Sequence, residues 1–313
     1  MRKKISIVSS AFNEEDNVEV LYEKVKEQIS KLSDKYDYEQ IVLDNASTDG
    51  TAKKLREIAT SDKNFKVIIN ARNFGHIRSP YYGMLQASGD VVIYMASDLQ
   101  DPPELIPEFI KKWEEGNKIV FAQKSKSEES FTFWLIRKFY YWLLNKANDS
   151  GAELLQNCTG FGLYDKEVIE EFRKIDDPYP YVRGLVSELG YKKATVPFVQ
   201  PKRKRGLTKN NFYTLYDNAM IGFTNHSKVP LRLAAFCGFI LSALSLFLAF
   251  VYLVLKLAYW DHFPMGTAPI LIAVFFFSSM QLFFIGVIGE YLGAVLTQIL
   301  HRPLVIEKER INF

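Results

Sequence analysis

Two long apolar stretches, Leu233–Leu255 and Ala268–Leu292, constrain this chain more than any other feature. Each supplies about twenty or more largely apolar residues, the length a helix needs to cross a hydrocarbon core of about 30 Å. The mean hydropathy of −0.06 hides them, because residues 1–228 alternate apolar and charged segments as a soluble protein does. The linker Tyr259–Thr267 contains Asp261 and His262 but no Lys or Arg. Arg232 precedes the first stretch, and His301, Arg302, Lys308 and Arg310 follow the second. Positive charge on the inner side therefore predicts a multi-pass protein of the cytoplasmic membrane with both termini cytoplasmic, against which Lys256 stands as a mild exception. A pair of buried core helices is the competing reading, and it is weak at such length.

Ahead of these spans the sequence reads as alternating strands and helices. Ile5–Ser10 suits a buried strand, and Asn13 offers a helix cap before Val18, Leu21, Val25, Ile29 and Leu32, which recur at three- and four-residue steps. Tyr38–Leu43, Phe65–Ile69, Val91–Met95 and Lys118–Gln123 read as further strands. Between them lie helices carrying Leu55, Ile58 and Ala59, then Arg78–Ala87, then a stretch from Pro102 and Pro103 through Trp113. This βαβ alternation predicts an α/β fold with a doubly wound, mostly parallel sheet. Ligands of such sheets bind beyond the carboxyl ends of the strands. The polar segments Phe12–Asn17, Asp44–Asp49 and Ser97–Glu104 each follow a strand and are expected to converge on one cleft. Phe131–Ala147, aromatic with Arg137 and Lys138 in its middle, reads either as an interfacial helix or as a core helix whose cations snorkel. Asn211–Asn225 reads as a second interfacial helix. The expected organisation is 1–210 as a cytoplasmic domain, 211–230 as an interfacial linker, 231–300 as a transmembrane hairpin and 301–313 as a cytoplasmic tail.

A net charge of +3 is too small to argue for nucleic acid, though Lys202–Arg205 is suited to an anionic membrane surface or a phosphate. The two cysteines, Cys158 and Cys237, offer no disulfide framework or zinc spacing, which fits a reducing compartment. The basic N-terminus precedes only a strand-length apolar run, so no signal peptide is read there.

Chemistry concentrates in Ser97-Asp98-Leu99-Gln100-Asp101-Pro102-Pro103-Glu104. In an extended loop Asp98 and Gln100, two apart, point the same way. A carboxylate and an amide oxygen are hard ligands, suited to Mg²⁺ or Mn²⁺ that substrate phosphates also hold. Alone, an Asp-x-Gln is as readily a turn with a helix cap. Here it stands beside Ser9-Ser10-Ala11-Phe12-Asn13-Glu14-Glu15, Leu43-Asp44-Asn45-Ala46-Ser47-Thr48-Asp49-Gly50-Thr51 and Ala71-Arg72-Asn73-Phe74-Gly75, each at the end of a strand.

Together these segments resemble the family-two glycosyltransferases of the GT-A fold. Asp98–Glu104, Gly286-Val287-Ile288-Gly289-Glu290-Tyr291-Leu292-Gly293 and Arg302-Pro303-Leu304 are similar to the polyprenyl-phosphate branch, which includes dolichol-phosphate mannosyltransferases and bacterial undecaprenyl-phosphate glucosyltransferases. The resemblance implies transfer of a sugar from a nucleotide diphosphate-sugar, UDP-linked glucose or N-acetylhexosamine first, onto polyprenyl (undecaprenyl) phosphate with inversion. It implies that Phe12, Glu14, Asp44 and Arg72 bind the nucleotide and that Asp98 and Gln100 hold the metal. Arg203, Gly206, Thr208 and Lys209 match the family's Arg-x-x-Gly-x-Ser/Thr-Lys loop over the diphosphate. Lys124 and Arg137 fall where basic residues meet the lipid phosphate, with Lys124 in place of an expected Arg. Asp98, Arg137, Arg203 and Lys209 would then carry catalysis through positioning and charge neutralisation, since a phosphate acceptor needs no general base. The partners implied are the donor, the lipid acceptor and the bilayer, and a homo-oligomer packed through the spans is permitted.

Two departures stand out. Ala96-Ser97-Asp98 replaces the family's Asp-Ala-Asp, removing the first carboxylate. Gly160 and Gly162 replace the acid and arginine of Gly-Asp-Phe-Arg-Leu, which predicts a changed sugar pocket. An inactive or scaffold membrane protein on the same fold is the rival reading. A polysaccharide synthase is disfavoured, because none of the four tryptophans follows an arginine.

Overall fold

The computed structural model describes residues 2–125, 158–201, 229–258 and 267–313. The expected interfacial helices at Phe131–Ala147 and Asn211–Asn225, and the residues Arg137, Arg203, Gly206, Thr208 and Lys209, lie outside the described residues.

The first half alternates as the sequence pattern predicts: β1 (Lys3–Ala11), α1 (Val18–Ser30), β2 (Tyr36–Asp44), α2 (Thr51–Ser61), β3 (Phe65–Asn70), α3 (Gly75–Gln86), β4 (Val91–Tyr94), α4 (Ile106–Glu114) and β5 (Ile119–Lys124). There follow β6 (Cys158–Asp165), α5 (Lys166–Lys174), α6 (Val182–Glu188), β7 (Lys193–Phe198), α7 (Val229–Ala258), α8 (Thr267–Ile299) and β8 (Glu307–Ile311). The described strands form one sheet in the order β7-β5-β6-β4-β1-β2-β3-β8. Strands β4, β1, β2 and β3 are parallel neighbours, while β6 runs against β4 and β5, and β8 against β3. The chain leaves β1 toward β2 on one side and returns to β4 on the other. That reversal opens a crevice at the carboxyl ends of β1 and β4.

Both faces of the sheet are covered, which is why its central strands are apolar on both sides. On one face Ile5, Ile7 and Ile93 pack against Leu21, Val25 and Ile29 of α1 and Phe109 and Trp113 of α4. On the other, Val8, Leu43 and Val92 meet Tyr81 and Met84 of α3 and Val168, Ile169 and Phe172 of α5. The three-and-four spacing of α1 is realised, with Val18, Leu21, Val25 and Ile29 all buried. Asn17 rather than Asn13 occupies its cap position.

One polar cluster lies beneath the sheet, at the end opposite the crevice. The Glu39 carboxylate accepts from Lys4 Nζ at 2.8 Å, Lys66 Nζ at 2.7 Å, Ser6 Oγ at 2.6 Å and Ser88 N at 2.7 Å. Burial pushes this carboxyl up, but the donors from Lys4, Lys66, Ser6 and Ser88 outweigh it and hold its pKa at about 2. A carboxyl depressed on folding contributes stability above its unfolded pKa and loses it as pH falls toward the folded value. Glu39→Gln is therefore expected to destabilise by about 3 kcal/mol at pH 7, the cost of breaking a buried ion pair. Thermal melts of both proteins should show that gap narrowing between pH 4.5 and 2. A gap independent of pH would refute the assignment.

Helices α7 and α8 have 30 and 33 residues and bear large exposed apolar side chains, among them Phe239 at 76 % and Leu282 at 69 %. Among the described residues one stretch, Phe276–Ile299, is both long and apolar enough to cross a membrane, with a mean hydropathy of 1.7 and none of it buried. In α7 the qualifying apolar stretch is the shorter Leu231–Ser245. Of the two spans expected from the sequence, one therefore meets the criterion. The residues expected to form a tail do not hang free either. Glu307–Ile311 pairs with β3 and closes that edge of the sheet, an arrangement its own polar sequence does not announce.

Candidate active site

The parallel strands deliver the three polar segments to one rim, and side chains stitch them together. Asn13, at φ 57°, donates its N–H to Ser47 Oγ at 2.9 Å, and its Oδ1 accepts Thr48 N at 2.8 Å. Asn45 N donates to Ala11 O at 2.8 Å. Its side chain takes Phe74 N at 2.9 Å and gives Nδ2 to Asn73 Oδ1 at 2.9 Å, joining the loop after β2 to that after β3. Glu15 Oε2 accepts Gly50 N at 2.9 Å. The loops after β1, β2 and β3 thus form a shared, prefolded surface.

Asp44 ends β2, in register with Ala11 of β1 and Ile69 of β3. It is 1 % exposed. Oδ2 accepts Ser47 N at 3.1 Å, whereas Oδ1 is buried without a protein partner. Burial raises its pKa, and the Ser47 bonds only partly offset that. A buried carboxylate oxygen left unmatched is costly unless a ligand donor completes it. Ser9 Oγ and Ser97 Oγ are further buried polar atoms without partners, both on segments that end at this rim.

Phe12 is half-buried beside Asn13. Glu14 is buried, its Oε2 accepting Asn17 Nδ2 at 2.5 Å and its N–H donating to Thr51 Oγ1 at 2.9 Å. Arg72 is exposed at the end of β3, with its guanidinium 4.1 Å from the Phe74 ring centre. All four expected nucleotide residues therefore stand at the ends of β1, β2 and β3.

After β4 the chain makes a turn rather than the extended loop that the spacing suggested. Leu99 holds φ 61°, which a bulky residue adopts only where its surroundings impose it, and its side chain packs on the core below. Asp98 Oδ1 accepts Gln100 N at 3.1 Å, so the turn fixes the carboxylate against the backbone of the other expected ligand. Asp101, to which the sequence reading gave no role, is 5 % exposed and accepts Ala96 N at 2.9 Å through Oδ2. Burial, with the neighbouring Asp98, lifts its pKa to about 7 against the pull of the Ala96 bond and Lys124. Among the described residues no three His, Cys, Asp or Glu side chains gather as a metal cage. The donor set fits a hard cation that takes few protein oxygens and completes its shell with phosphate and water.

The two departing glycines differ. Gly162 pairs with Tyr94 and Phe121, and a Cβ there would stand 2.4 Å from Val120 O, so the close approach of β5 demands glycine. Gly160, at φ 92°, faces open space and lines a cavity of about 190 Å³ between α3 and α6. Tyr94 and Arg183 line the same cavity, and nothing in the local sequence around Arg183 announced it. Lys124 ends β5, one residue beyond the Gln123–Cys158 pair.

A family model described as Glycosyl transferase family 2 matches residues 6–173, spanning β1 to α5 and so all of these rim segments. The chain is 34 % identical over 302 residues to the uncharacterized glycosyltransferase YkcC of Bacillus subtilis (strain 168), covering 96 % of this chain and 92 % of that protein. It is 32 % identical over 306 residues to the bactoprenol glucosyl transferase of Shigella phage SfV, covering 97 % and 98 %. Among solved structures, glucosyl-3-phosphoglycerate synthase from Mycobacterium tuberculosis in complex with uridine-diphosphate is 22 % identical with a TM-score of 0.48, covering 71 % of this chain and 78 % of that one. The matched rim and the full-length relatives lead to one conclusion: the chain belongs to glycosyl transferase family 2 and is a glycosyltransferase.

Proposed function

We propose that the protein transfers a hexose from a UDP-sugar to undecaprenyl phosphate at the cytoplasmic membrane face, inverting the anomeric centre. The observation that carries this reading is the buried, half-satisfied Asp44 after β2 and the Asp98–Gln100 turn after β4, on either side of β1 at one sheet edge, in a chain 32 % identical over 306 residues to a bactoprenol glucosyl transferase. Asp44 accepts from the base or ribose, flanked by Phe12, Glu14 and Arg72. Asp98 and Gln100 hold Mg²⁺ or Mn²⁺, which would supply charge neutralisation for the departing diphosphate. Lys124 and Arg137 meet the acceptor phosphate, while Arg203, Thr208 and Lys209 close on the diphosphate. The acceptor oxygen is already anionic, so these residues need only align it with the anomeric carbon and screen repulsion between two phosphate groups. Both apolar helices cross the bilayer, with the sheet and β8 on the cytoplasmic side.

Incubating the full chain with undecaprenyl phosphate, Mg²⁺ and a panel of nucleotide sugars tests the whole reading. Lipid-linked sugar should form from a UDP-hexose. Failure with every donor would favour the scaffold alternative.

Asp44→Asn separates binding from folding. It removes the acceptor charge but keeps the shape, so UDP affinity is expected to fall about 10- to 100-fold, as for a lost charge-assisted hydrogen bond. Because the folded state raises this carboxyl's pKa, the ionised form costs stability as pH rises through the acid range. The variant should therefore melt no lower than the native protein at pH 7. Unchanged UDP affinity by calorimetry would remove Asp44 from the site.

A further inference from the structure

The cavity between α3 and α6 is not used by the nucleotide or metal assignments; its Gly160 was expected in the sugar pocket, and Tyr94 at the end of β4 brings it to the same rim. Gly160 lies two residues past the Tyr94–Gly162 pair, the last β4–β6 pair before the chain reaches the Ala96–Asp98 turn. Tyr94 connects the two regions. It lines the cavity, and burial chiefly raises its pKa while the charges of Asp98 and Asp101 add to the rise. Among the described residues the lining is half apolar, with Met84 and Pro180, and half phenolic or basic, with Tyr94, Tyr164, His76 and Arg183, and none of them is an acid. The Arg183 guanidinium is held in place by donating Nη1 to Cys158 O at 3.0 Å and by lying 5.1 Å from the Tyr181 ring centre. Cys158 is also the strand partner of Gln123, the residue before Lys124, so two cations flank one strand end.

The chain leading into the cavity lining is tied to the end of α8. Pro180 and Tyr181 line the cavity, and three residues before Pro180 the Asp177 Oδ1 accepts Gln298 Nε2, at the end of α8, at 2.9 Å. His301 Nδ1 lies 3.1 Å from Asp176 Oδ2 just beyond it.

Resting on the function proposed above, we infer that this cavity seats the acceptor's phosphate monoester, with Arg183 as its principal cation and the apolar lining taking the first carbons of the prenyl chain. A lipid phosphate is the ligand whose two halves match that lining. Arg183 thereby joins Lys124 in aligning the nucleophilic oxygen beside Gly160, where the missing side chain leaves open space.

The test uses the full chain in detergent micelles, titrated separately with undecaprenyl phosphate, undecaprenol and UDP. Arg183→Ala is expected to weaken undecaprenyl phosphate about 10- to 100-fold, the range of a lost charge-assisted contact, while UDP binding stays within about twofold. Arg183→Lys should fall between, and undecaprenol, lacking the phosphate, should not distinguish the variants. UDP binding also reports that each variant is folded. If Arg183→Ala and Arg183→Lys both bind undecaprenyl phosphate as the native chain does, or lose UDP as severely as the lipid, the assignment is overturned. If the native chain binds UDP but not undecaprenyl phosphate, the proposed acceptor itself fails, and this inference with it.

Discussion

Replacing Asp98 by alanine should slow sugar transfer about 10²- to 10³-fold, the scale on which loss of one preorganised electrostatic contact is felt. The side chain makes a single bond within its own turn, to Gln100 N at 3.1 Å. Leu99 anchors that turn in the core independently, so the fold should survive the change and melting should shift little. Asp98→Asn sharpens the test, because it preserves size and the bond to Gln100 N while removing the charge. If a divalent cation sits here, the Asn variant should need more Mn²⁺ to reach half-maximal rate, and excess Mn²⁺ should recover part of its activity. Ala96→Asp adds the first carboxylate of the Asp-Ala-Asp that the resemblance leads one to expect, and it should leave the reaction intact. An Asp98→Ala protein with unimpaired turnover would remove the metal assignment.

How much of this was legible beforehand depends on whether a feature is local or assembled. The parallel core was readable because each of its elements carries its own periodicity, as α1 does in Val18, Leu21, Val25 and Ile29. The rim segments followed from the rule that polar residues after parallel strands meet at one edge. Strand β6 was harder. Cys-Thr-Gly-Phe-Gly-Leu holds two glycines in three positions, poor strand formers, and its antiparallel place between β4 and β5 depends on residues elsewhere. Strand β8, with Glu, Lys, Glu and Arg in succession, has no apolar face to betray it, since an edge strand is specified by its neighbour. Asp44 became a candidate through the family resemblance of its segment. Its buried, unmatched oxygen was visible only once β1 and β3 flanked it. Arg183 gave no signal in sequence, because its meaning comes from α3 and β6 folding against it.

Deleting residues 304–313 should damage both stability and lipid-dependent turnover, since β8 ties the apolar helices to the catalytic sheet. Ala71 N binds Ile306 O at 2.8 Å, and β8 pairs along β3 from Val67–Ile311 to Asn70–Glu307. Arg56 grips Glu309 through Nη2 at 2.7 Å and Nε at 3.1 Å. Asn312 Nδ2 reaches Ala59 O at 2.6 Å and Phe65 O at 2.9 Å, and Val305 is 7 % exposed. Surface ion pairs contribute little, but losing a buried valine and a strand's ladder together should lower melting by about 5–10 °C. The bared edge of β3 would also favour aggregation. The functional consequence follows from geometry. The link from Leu300 to Ile306 can extend at most about 3.6 Å per residue, so with β8 in place the rim cannot drift far from the end of α8. Freed of it, the catalytic domain should still bind UDP but meet the lipid phosphate less often. Turnover with undecaprenyl phosphate in bilayers should therefore fall more steeply than UDP affinity. A truncated protein that melts normally and works at the native rate in bilayers would show that β8 is dispensable to both.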